Sequence, residues 1–384
     1  MGRQLVVCLD GTGNRFSYRP TNIVRIFRSL STRPEELLSY YDQGVGTFGR
    51  RETLFEWQKL PSRVCGLAFG WGVKRNVEGA YRFLAQNWAP DDEVFAFGFS
   101  RGAYAVRALA ALIHAVGLLP AHEVHLFDYA WAMLLARDGP EHNPDFELQA
   151  RFKSTFSRTI RIHFLGLYDT VKSVGWIYDP VVIPYTADNP AVRFVRHAVS
   201  IDERRCFFRQ HLWHARPSSR TDVEEVWFAG VHSDIGGGYP PEQAQLALLC
   251  HRWMLGEALS AGLRVDRARC WKYMRPAIHH AWNPCAEMHN SMTTAWKLAE
   301  WLPRLVWDDA TAKRSLKVGT VPPFGTARCR TMPTGALVHR SVEERIAGRS
   351  DYKPENLPQL RRTVDDDPRV ADILQASVRK RMTV

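Results

Sequence analysis

The sequence predicts an α/β fold, a mostly parallel sheet with helices on both faces, and three observations predict it. Short apolar, β-branched runs alternate with helical stretches from the N-terminus onward, joined by glycine-bearing loops. The run Glu93 to Phe97 passes through Gly98-Phe99-Ser100-Arg101-Gly102 into an Ala- and Leu-rich stretch with no breaker, which reads as strand, sharp turn and helix. Two later apolar runs each deliver one titratable group at their ends, Asp169 and His232.

Taken in order, Gln4 to Leu9 reads as a buried strand ending in Asp10-Gly11-Thr12-Gly13-Asn14. A helix is expected at Asn22 to Leu30, with Thr21 as its N-cap and Ile23, Phe27 and Leu30 on one face. Leu37 to Tyr41 is a second strand, running into the glycine-bearing loop Asp42 to Thr47. Gly49 to Gly72 lacks a period and reads as irregular, whereas Val73 to Trp88 is amphipathic through Val77, Tyr81 and Leu84. After the Gly98 to Gly102 turn, His122 to Arg137 is a helical insertion rich in aromatic residues that either covers a site or simply packs on the body. Thr159 to Leu167 is a strand followed by Tyr168-Asp169, and Gly175 to Asn189 is a Pro- and aromatic-rich loop. Ala191 to Ile201 reads as helix, Val223 to Val231 as a strand leading to His232, and Gln243 to Ala261 as a long helix. From Gly262 to Val321 tryptophans and histidines are interspersed without a period, so irregular packed structure is expected, with a ligand-binding cap as the alternative. The expected organisation is one body over residues 1–345, with insertions at about 118–157 and 262–330, and a polar, basic C-terminal tail over 346–384 that is either a solvated helix or a flexible end.

Composition narrows the function classes. With 384 residues, 45% hydrophobic and 24% charged, the chain can bury a large core. No stretch approaches the ~20 apolar residues of a membrane span, and the short run Leu5 to Leu9 does not make a signal peptide, so a soluble protein is expected. The seven cysteines are odd in number and never in C-x-x-C spacing, which points to reduced thiols and a cytoplasmic setting. The 51 Lys and Arg against 40 Asp and Glu give +11, a balance that suits anionic partners such as phospholipid headgroups or nucleic acid and names neither. The arginines are spread rather than clustered, so no nucleic acid partner is expected. No H-E-x-x-H or comparable spacing is present, and neither a metal nor a cofactor is expected.

The chemistry centres on Ser100. A serine hydroxyl is a poor nucleophile, so it must be held clear of its neighbours, beside a base, with N–H groups ready for the oxyanion. Gly98-Phe99-Ser100-Arg101-Gly102 has the form of a G-x-S-x-G nucleophile elbow, and the strand before it and helix after it are the context that motif requires. Asp169 and His232 follow in the order acid then base, each leaving the carboxyl end of a strand. His339 is an alternate base after a short strand of its own; His232 is preferred because Gly236-Gly237-Gly238 lets the backbone approach the centre. The oxyanion hole is expected from the N–H of Arg101 with Gly11 and Thr12, the Gly44 to Gly46 loop being the alternative. Two other chemistries compete. Leu9-Asp10-Gly11-Thr12 resembles an aspartyl-phosphate phosphatase loop, but Cys8 stands where the nucleophilic carboxylate belongs. A patatin-like Ser-Asp dyad would pair Ser100 with Asp234, although Ile235 interrupts the Asp-Gly step such dyads carry.

Four blocks then resemble the successive signatures of one family: Cys8 to Asn14, Gly98 to Tyr104, Gly166 to Val171 and Val226 to Tyr239. The family comprises mainly bacterial α/β-hydrolases catalogued as a domain of unknown function, and it includes the catalytic domains of type VI secretion (Tle1-like) phospholipase effectors. The resemblance covers roughly Leu5 to Tyr239 and implies an α/β-hydrolase-like fold with helical and aromatic insertions. It implies a Ser-Asp-His triad at Ser100, Asp169 and His232, acting on the acyl esters of phospholipids. Peripheral contact with an anionic membrane surface, a cognate immunity protein and delivery by a type VI rather than a Sec route are further expectations that the residues leave open. The aromatic segments Phe127 to Leu135 and Gly175 to Tyr185 are expected to line an acyl pocket, and Arg101 to meet a lipid phosphate. A non-catalytic binding module on the same body is the remaining alternative.

Overall fold

A computed structural model of the chain describes residues 2–11, 19–44, 62–136, 144–171, 183–214, 219–274, 282–299, 304–308, 313–317, 329–370 and 372. Its first half follows the alternation in the sequence. Strand β1 (Gln4–Leu9) leads to helix α1 (Asn22–Ser29), β2 (Leu37–Asp42), α2 (Ser62–Asn87), β3 (Glu93–Phe99) and α3 (Arg101–Val116). Helices α4 (Phe127–Leu135) and α5 (Phe146–Phe156) then precede β4 (Ile162–Tyr168), β5 (Val192–Ser200) and β6 (Asp222–Phe228). The second half adds α6 (His232–Gly236), α7 (Gln245–Ser260), α8 (Arg267–Met274), α9 (Thr294–Ala299), a hairpin of β7 (Arg304–Asp308) and β8 (Lys313–Lys317), β9 (Ala336–His339), α10 (Arg340–Gly348) and β10 (Arg361–Val364).

Eight of these strands form one sheet in the order β10-β9-β6-β5-β4-β3-β1-β2, and every neighbouring pair is parallel. A parallel sheet must be covered on both faces, and the strand residues alternate between two cores accordingly. Leu5, Val7, Leu9, Val94 and Ala96 point into a core shared with α2 to α5. Val6, Cys8, Phe95 and Phe97 point into the opposite core, with α1, α7 and α8. Each fully buried Leu, Val or Phe contributes roughly 1.5–3 kcal/mol relative to exposure, so this two-sided burial is the main stabilising term. The chain winds outward from β1 to β2, then crosses back to β3 and continues the other way. The carboxyl ends of β1 and β3 therefore flank a topological switch point, where doubly wound sheets open a crevice for ligands.

Four expectations are corrected. The segment Gly49 to Gly72, read as irregular, is helical from Ser62 onward as part of α2; residues 49–61 lie outside the described residues. Ala191 to Ile201, read as helix, holds the central strand β5. Val192, Val195 and Val199 fall at helical spacing, and the interspersed Arg196 and His197 imitate a polar face. Both are instead buried and paired, Arg196 with Glu257 at 2.6 Å and His197 with Glu225 at 2.7 Å. Gly262 to Val321, read as irregular, contains α8, α9 and the β7–β8 hairpin. The tail expected over 346–384 is part of the body as far as Val370. Strand β10 extends the sheet, Tyr352 is buried with its hydroxyl donating to Asp202 at 2.9 Å, and Val370 is fully buried in the α7 core. A sequence-based pattern misses this because its acidic run is spent on internal partners, Asp366 pairing with Arg252 at 3.0 Å and Asp365 with Arg340.

Of the two readings of helix α4, covering the site or packing on the body, the structure shows the second. Phe127, Trp131 and Leu134 are buried in the α2–α3 core, with Phe127 tilted against Tyr81 at 5.5 Å between ring centroids. Of the second aromatic segment, Ile183 and Tyr185 are described; Ile183 is buried, and Tyr185 meets His114 edge-on at 4.6 Å. Residues 175–182 lie outside the described residues.

Candidate active site

Ser100 occupies the sharp turn between β3 and α3. Its backbone is at φ 58°, ψ −119°, outside the regions a serine ordinarily adopts, and its N–H donates to Tyr168 O at 3.0 Å. Such strain is stored only where the surroundings over-determine the backbone. The flanking glycines do so. A Cβ on Gly102 would stand 2.1 Å from Leu9 O, and one on Gly98 would stand 2.5 Å from Gly102 O. Strand, turn and helix thus press together to a distance only glycine permits, and Ser100 projects from the apex.

The acid and base reach it from two other strand ends. Asp169, directly after β4, is itself at φ 41° and is fixed by its N–H donating to Ala198 O at 2.8 Å. His232 opens α6, four residues beyond the end of β6. The His232 Nε2 lies 2.8 Å from Ser100 Oγ, and its Nδ1 lies 2.5 Å from Asp169 Oδ2. All three side chains are buried. Phe99 and Phe208 pack on the imidazole with ring centroids 4.8 and 4.9 Å away, fixing its plane. Gly236 makes room for Phe99, since a Cβ there would fall 2.0 Å from the ring. The glycine run has a second use that differs from the one expected. Gly237, at φ 83°, and Gly238 bring the end of α6 against the start of α1, Gly238 N–H donating to Pro20 O at 3.3 Å. Asn22 of α1 completes this joint, its Nδ2 donating to Ile235 O and Ala247 O, each at 2.8 Å.

The electrostatics suit a base paired to an ionised acid. Burial pushes the Asp169 carboxyl up, but Arg330 and the hydrogen bond from His232 outweigh it and hold the group well below the usual carboxylate range. Burial pushes the His232 imidazole below its ordinary value, and the Asp169 hydrogen bond opposes this without reversing it. An ionised Asp169 accepts from Nδ1–H, which leaves the Nε2 lone pair facing the Ser100 hydroxyl. Arg330 was not anticipated from the sequence, nor was Glu203, which accepts His232 N–H at 3.1 Å. Arg330 sits in a stretch with no local signature. Glu203 belongs to an acidic pair just past a strand end, a place where such residues brace a loop.

The remaining candidates divide. Arg101 is the first residue of α3, at the end where the helix dipole favours negative charge. Gly11 N–H donates to Asp10 Oδ1 at 2.7 Å, so the expected second oxyanion donor is directed at a carboxylate; Thr12 lies outside the described residues. Asp10 is buried and also accepts from the Thr21 hydroxyl at 2.6 Å and the Tyr41 hydroxyl at 3.0 Å, which ties the end of β1 to the start of α1 and to β2. His339 is committed elsewhere. It caps α10 through Ser341 and stacks on Phe228 at 4.6 Å. Asp234 accepts from His289 Nδ1 at 2.7 Å and from Val231 N–H at 3.1 Å, and so serves α6 and the 282–299 segment.

The lowered His232 value makes a pH prediction. The neutral imidazole persists to more acidic solution than an ordinary histidine allows, so if His232 serves as a base toward Ser100 the acid limb of kcat/KM should lie below pH ~6.5. At pH ~6.5 the rate on a soluble short-chain ester should already exceed half its maximum. A limb at or above that value in a pH–rate profile would contradict the environment described here.

Comparison with known proteins adds a family. An uncharacterized protein from Pseudomonas aeruginosa, solved by crystallography, is 19% identical over 69% of this chain and 46% of its own, with a TM-score of 0.39. The Tle1 effector bound to the VgrG spike of the type VI secretion system is 20% identical over 63% of this chain and 52% of its own, with a TM-score of 0.35. An uncharacterized protein of Saccharomyces cerevisiae is 35% identical over 225 residues, 54% of this chain and 32% of its own. The chain spans less than two thirds of the length of each of these relatives. Among the described residues no helix is long and apolar enough to cross a membrane. Residues 3–257, which hold every strand from β1 to β6 and reach into α7, match the T6SS phospholipase effector Tle1-like catalytic domain, and the chain belongs to that family.

Proposed function

We propose that the protein is a serine hydrolase that cleaves phospholipid acyl esters through an acyl-enzyme on Ser100. The observation that carries this reading is the continuous relay from Ser100 Oγ through His232 to Asp169 at the carboxyl edge of a parallel sheet. Ser100 Oγ attacks the ester carbonyl while His232 Nε2 takes its proton. Asp169 holds the imidazole in the required tautomer and stabilises the imidazolium. The oxyanion forms at the amino end of α3, where the Arg101 N–H and the helix dipole favour it. Collapse expels the lysolipid alcohol, protonated by His232, and a water activated by the same imidazole releases the fatty acid. Phe208, edge-on to both His232 and Trp296, offers apolar surface beside the reacting carbonyl. Family membership supports the lipid substrate and a type VI delivery route; the +11 charge suits an anionic lipid surface.

The test uses the full chain with a fluorophosphonate probe and with vesicles of phosphatidylglycerol and phosphatidylethanolamine, followed by mass spectrometry. The expected result is probe mass on the peptide carrying Ser100, together with equal release of lysolipid and free fatty acid. Diacylglycerol or phosphatidic acid as the product would exclude acyl-ester cleavage. Absence of both labelling and lipid turnover would leave a non-catalytic binding module as the better reading.

A further inference from the structure

Arg330 stands 161 residues beyond Asp169 in the chain, and its side chain is completely buried against it. Its Nη1 donates to Asp169 Oδ1 at 2.5 Å and its Nη2 to Oδ2 at 3.0 Å, a fork across both oxygens of the carboxylate. The guanidinium is itself fixed. Its Nε donates to Phe208 O at 3.1 Å, Nη2 reaches the same carbonyl, and Nη1 lies 3.4 Å from Ser200 O. The Arg330 carbonyl accepts from Asn356 Nδ2 at 2.9 Å, which also donates to Ile201 O at 3.0 Å. Burying a guanidinium is costly, and Asp169 already has donors in Ser200 N–H at 3.0 Å and His232 Nδ1 at 2.5 Å. A fold that needed only a satisfied carboxylate had no need of the arginine.

Resting on the hydrolase reading, we propose that Arg330 is a positioning residue of the reaction: its fork locks the Asp169 carboxylate toward His232 and offsets part of the negative charge the imidazole feels. The charged groups facing His232 are Asp169 from the end of β4 and Glu203 and Arg205 from the segment after β5; Glu203 and Arg205 are themselves paired at 2.9 Å. Around Asp169 stand His232, Arg330 and His197, the last accepting Thr170 N–H at 3.0 Å. Glu203 is balanced by Arg205, and among the described residues Arg330 is the cation besides His232 that pairs with the Asp169 carboxylate. Burial holds the imidazole below its ordinary value, and the guanidinium, by pairing with the carboxylate, limits how far Asp169 raises it. Without it the whole carboxylate charge would keep the proton on His232 to higher pH.

The test compares wild type with Arg330→Gln, Arg330→Lys and the Asp169→Asn/Arg330→Gln double variant. Two readouts are followed: fluorophosphonate labelling of Ser100 as a function of pH, and the NMR titration of the His232 Cε1–H signal, which needs no turnover. In Arg330→Gln the His232 midpoint should rise by about one unit or more, with labelling at pH ~6 falling at least about tenfold and KM for a soluble ester changing little. Arg330→Lys should restore most of the midpoint without the full rate, because a lysine returns the charge and not the fork. The double variant should label no more slowly than Asp169→Asn alone, since Arg330 acts through that carboxylate. It also leaves no buried charge unpaired, so it stays readable should Arg330→Gln fail to fold. An unchanged midpoint in Arg330→Gln, or a double variant much slower than Asp169→Asn, would overturn the proposal. A wild-type Ser100 that does not label defeats the hydrolase reading, while the NMR midpoint still decides whether Arg330 governs the Asp169–His232 pair.

Discussion

Ser100→Ala should lower turnover of phospholipid and soluble ester alike by about four to six orders of magnitude, with KM little changed. In the proposed mechanism this hydroxyl forms the acyl bond, and it lies 2.8 Å from the imidazole that would take its proton. Its removal leaves the α3 terminus and the substrate-facing surface intact, so what survives is the small acceleration that binding and oxyanion stabilisation give unaided. The fold should survive as well, because the Ser100 backbone bond to Tyr168 O does not involve the side chain and alanine meets the same positive φ as serine. Ser100→Gly separates the two effects. It should be equally inactive yet more stable by about 1 kcal/mol, because glycine relieves backbone strain of ~1–3 kcal/mol and gives back somewhat less through the freedom of the unfolded chain. Steady-state kinetics and thermal melting of the three proteins check this. A loss of only about tenfold in Ser100→Ala would mean that another nucleophile carries the reaction.

The parts of this site that could be read from the sequence are those whose cause is local. The turn at Ser100 is written in five consecutive residues, two of them glycines that the Leu9 carbonyl and the α3 backbone leave no room to replace. The Thr21 cap of α1 is equally local, its hydroxyl oxygen accepting from Val24 N–H at 3.2 Å. What was illegible depends on partners far along the chain. β5 carries arginine and histidine in the middle of a sheet, and nothing near them in sequence announces Glu257 or Glu225 as their buried counterions. β10 looked like a tail because its acidic neighbours find Arg252 and Arg340 only after the sheet has formed. Gly11 illustrates a subtler failure. The motif suggested a free N–H after β1, but the preceding Asp10 side chain turns back to accept it. Composition favours a hydroxyl or a glycine in such loops, whereas the geometry of the adjacent carboxylate decides what those groups face.

Asp169→Asn is expected to cost about four orders of magnitude in kcat, and the surroundings of this particular carboxylate say why. The substitution leaves volume unchanged but replaces two acceptors with one acceptor and one donor. Ser200 N–H and Arg330 Nη1 both donate to the Oδ1 position, at 3.0 and 2.5 Å. The amide oxygen must therefore turn to that side, because placing the NH2 group there would set three donors against one another. The NH2 group is then left facing Arg330 Nη2, one donor opposed rather than two, and His232 Nδ1, to which it can donate only if that nitrogen is unprotonated. His232 consequently carries its proton on Nε2, the nitrogen 2.8 Å from the Ser100 hydroxyl, and cannot accept the proton that the attack releases. The backbone should hardly move, since Asp169 N–H continues to donate to Ala198 O. Fluorophosphonate labelling should slow in parallel with kcat, and raising the pH should recover part of it as hydroxide substitutes for the base. A variant that kept near wild-type rates would show that the acid at 169 orients nothing, and that the catalytic histidine takes its tautomer from another neighbour such as Glu203.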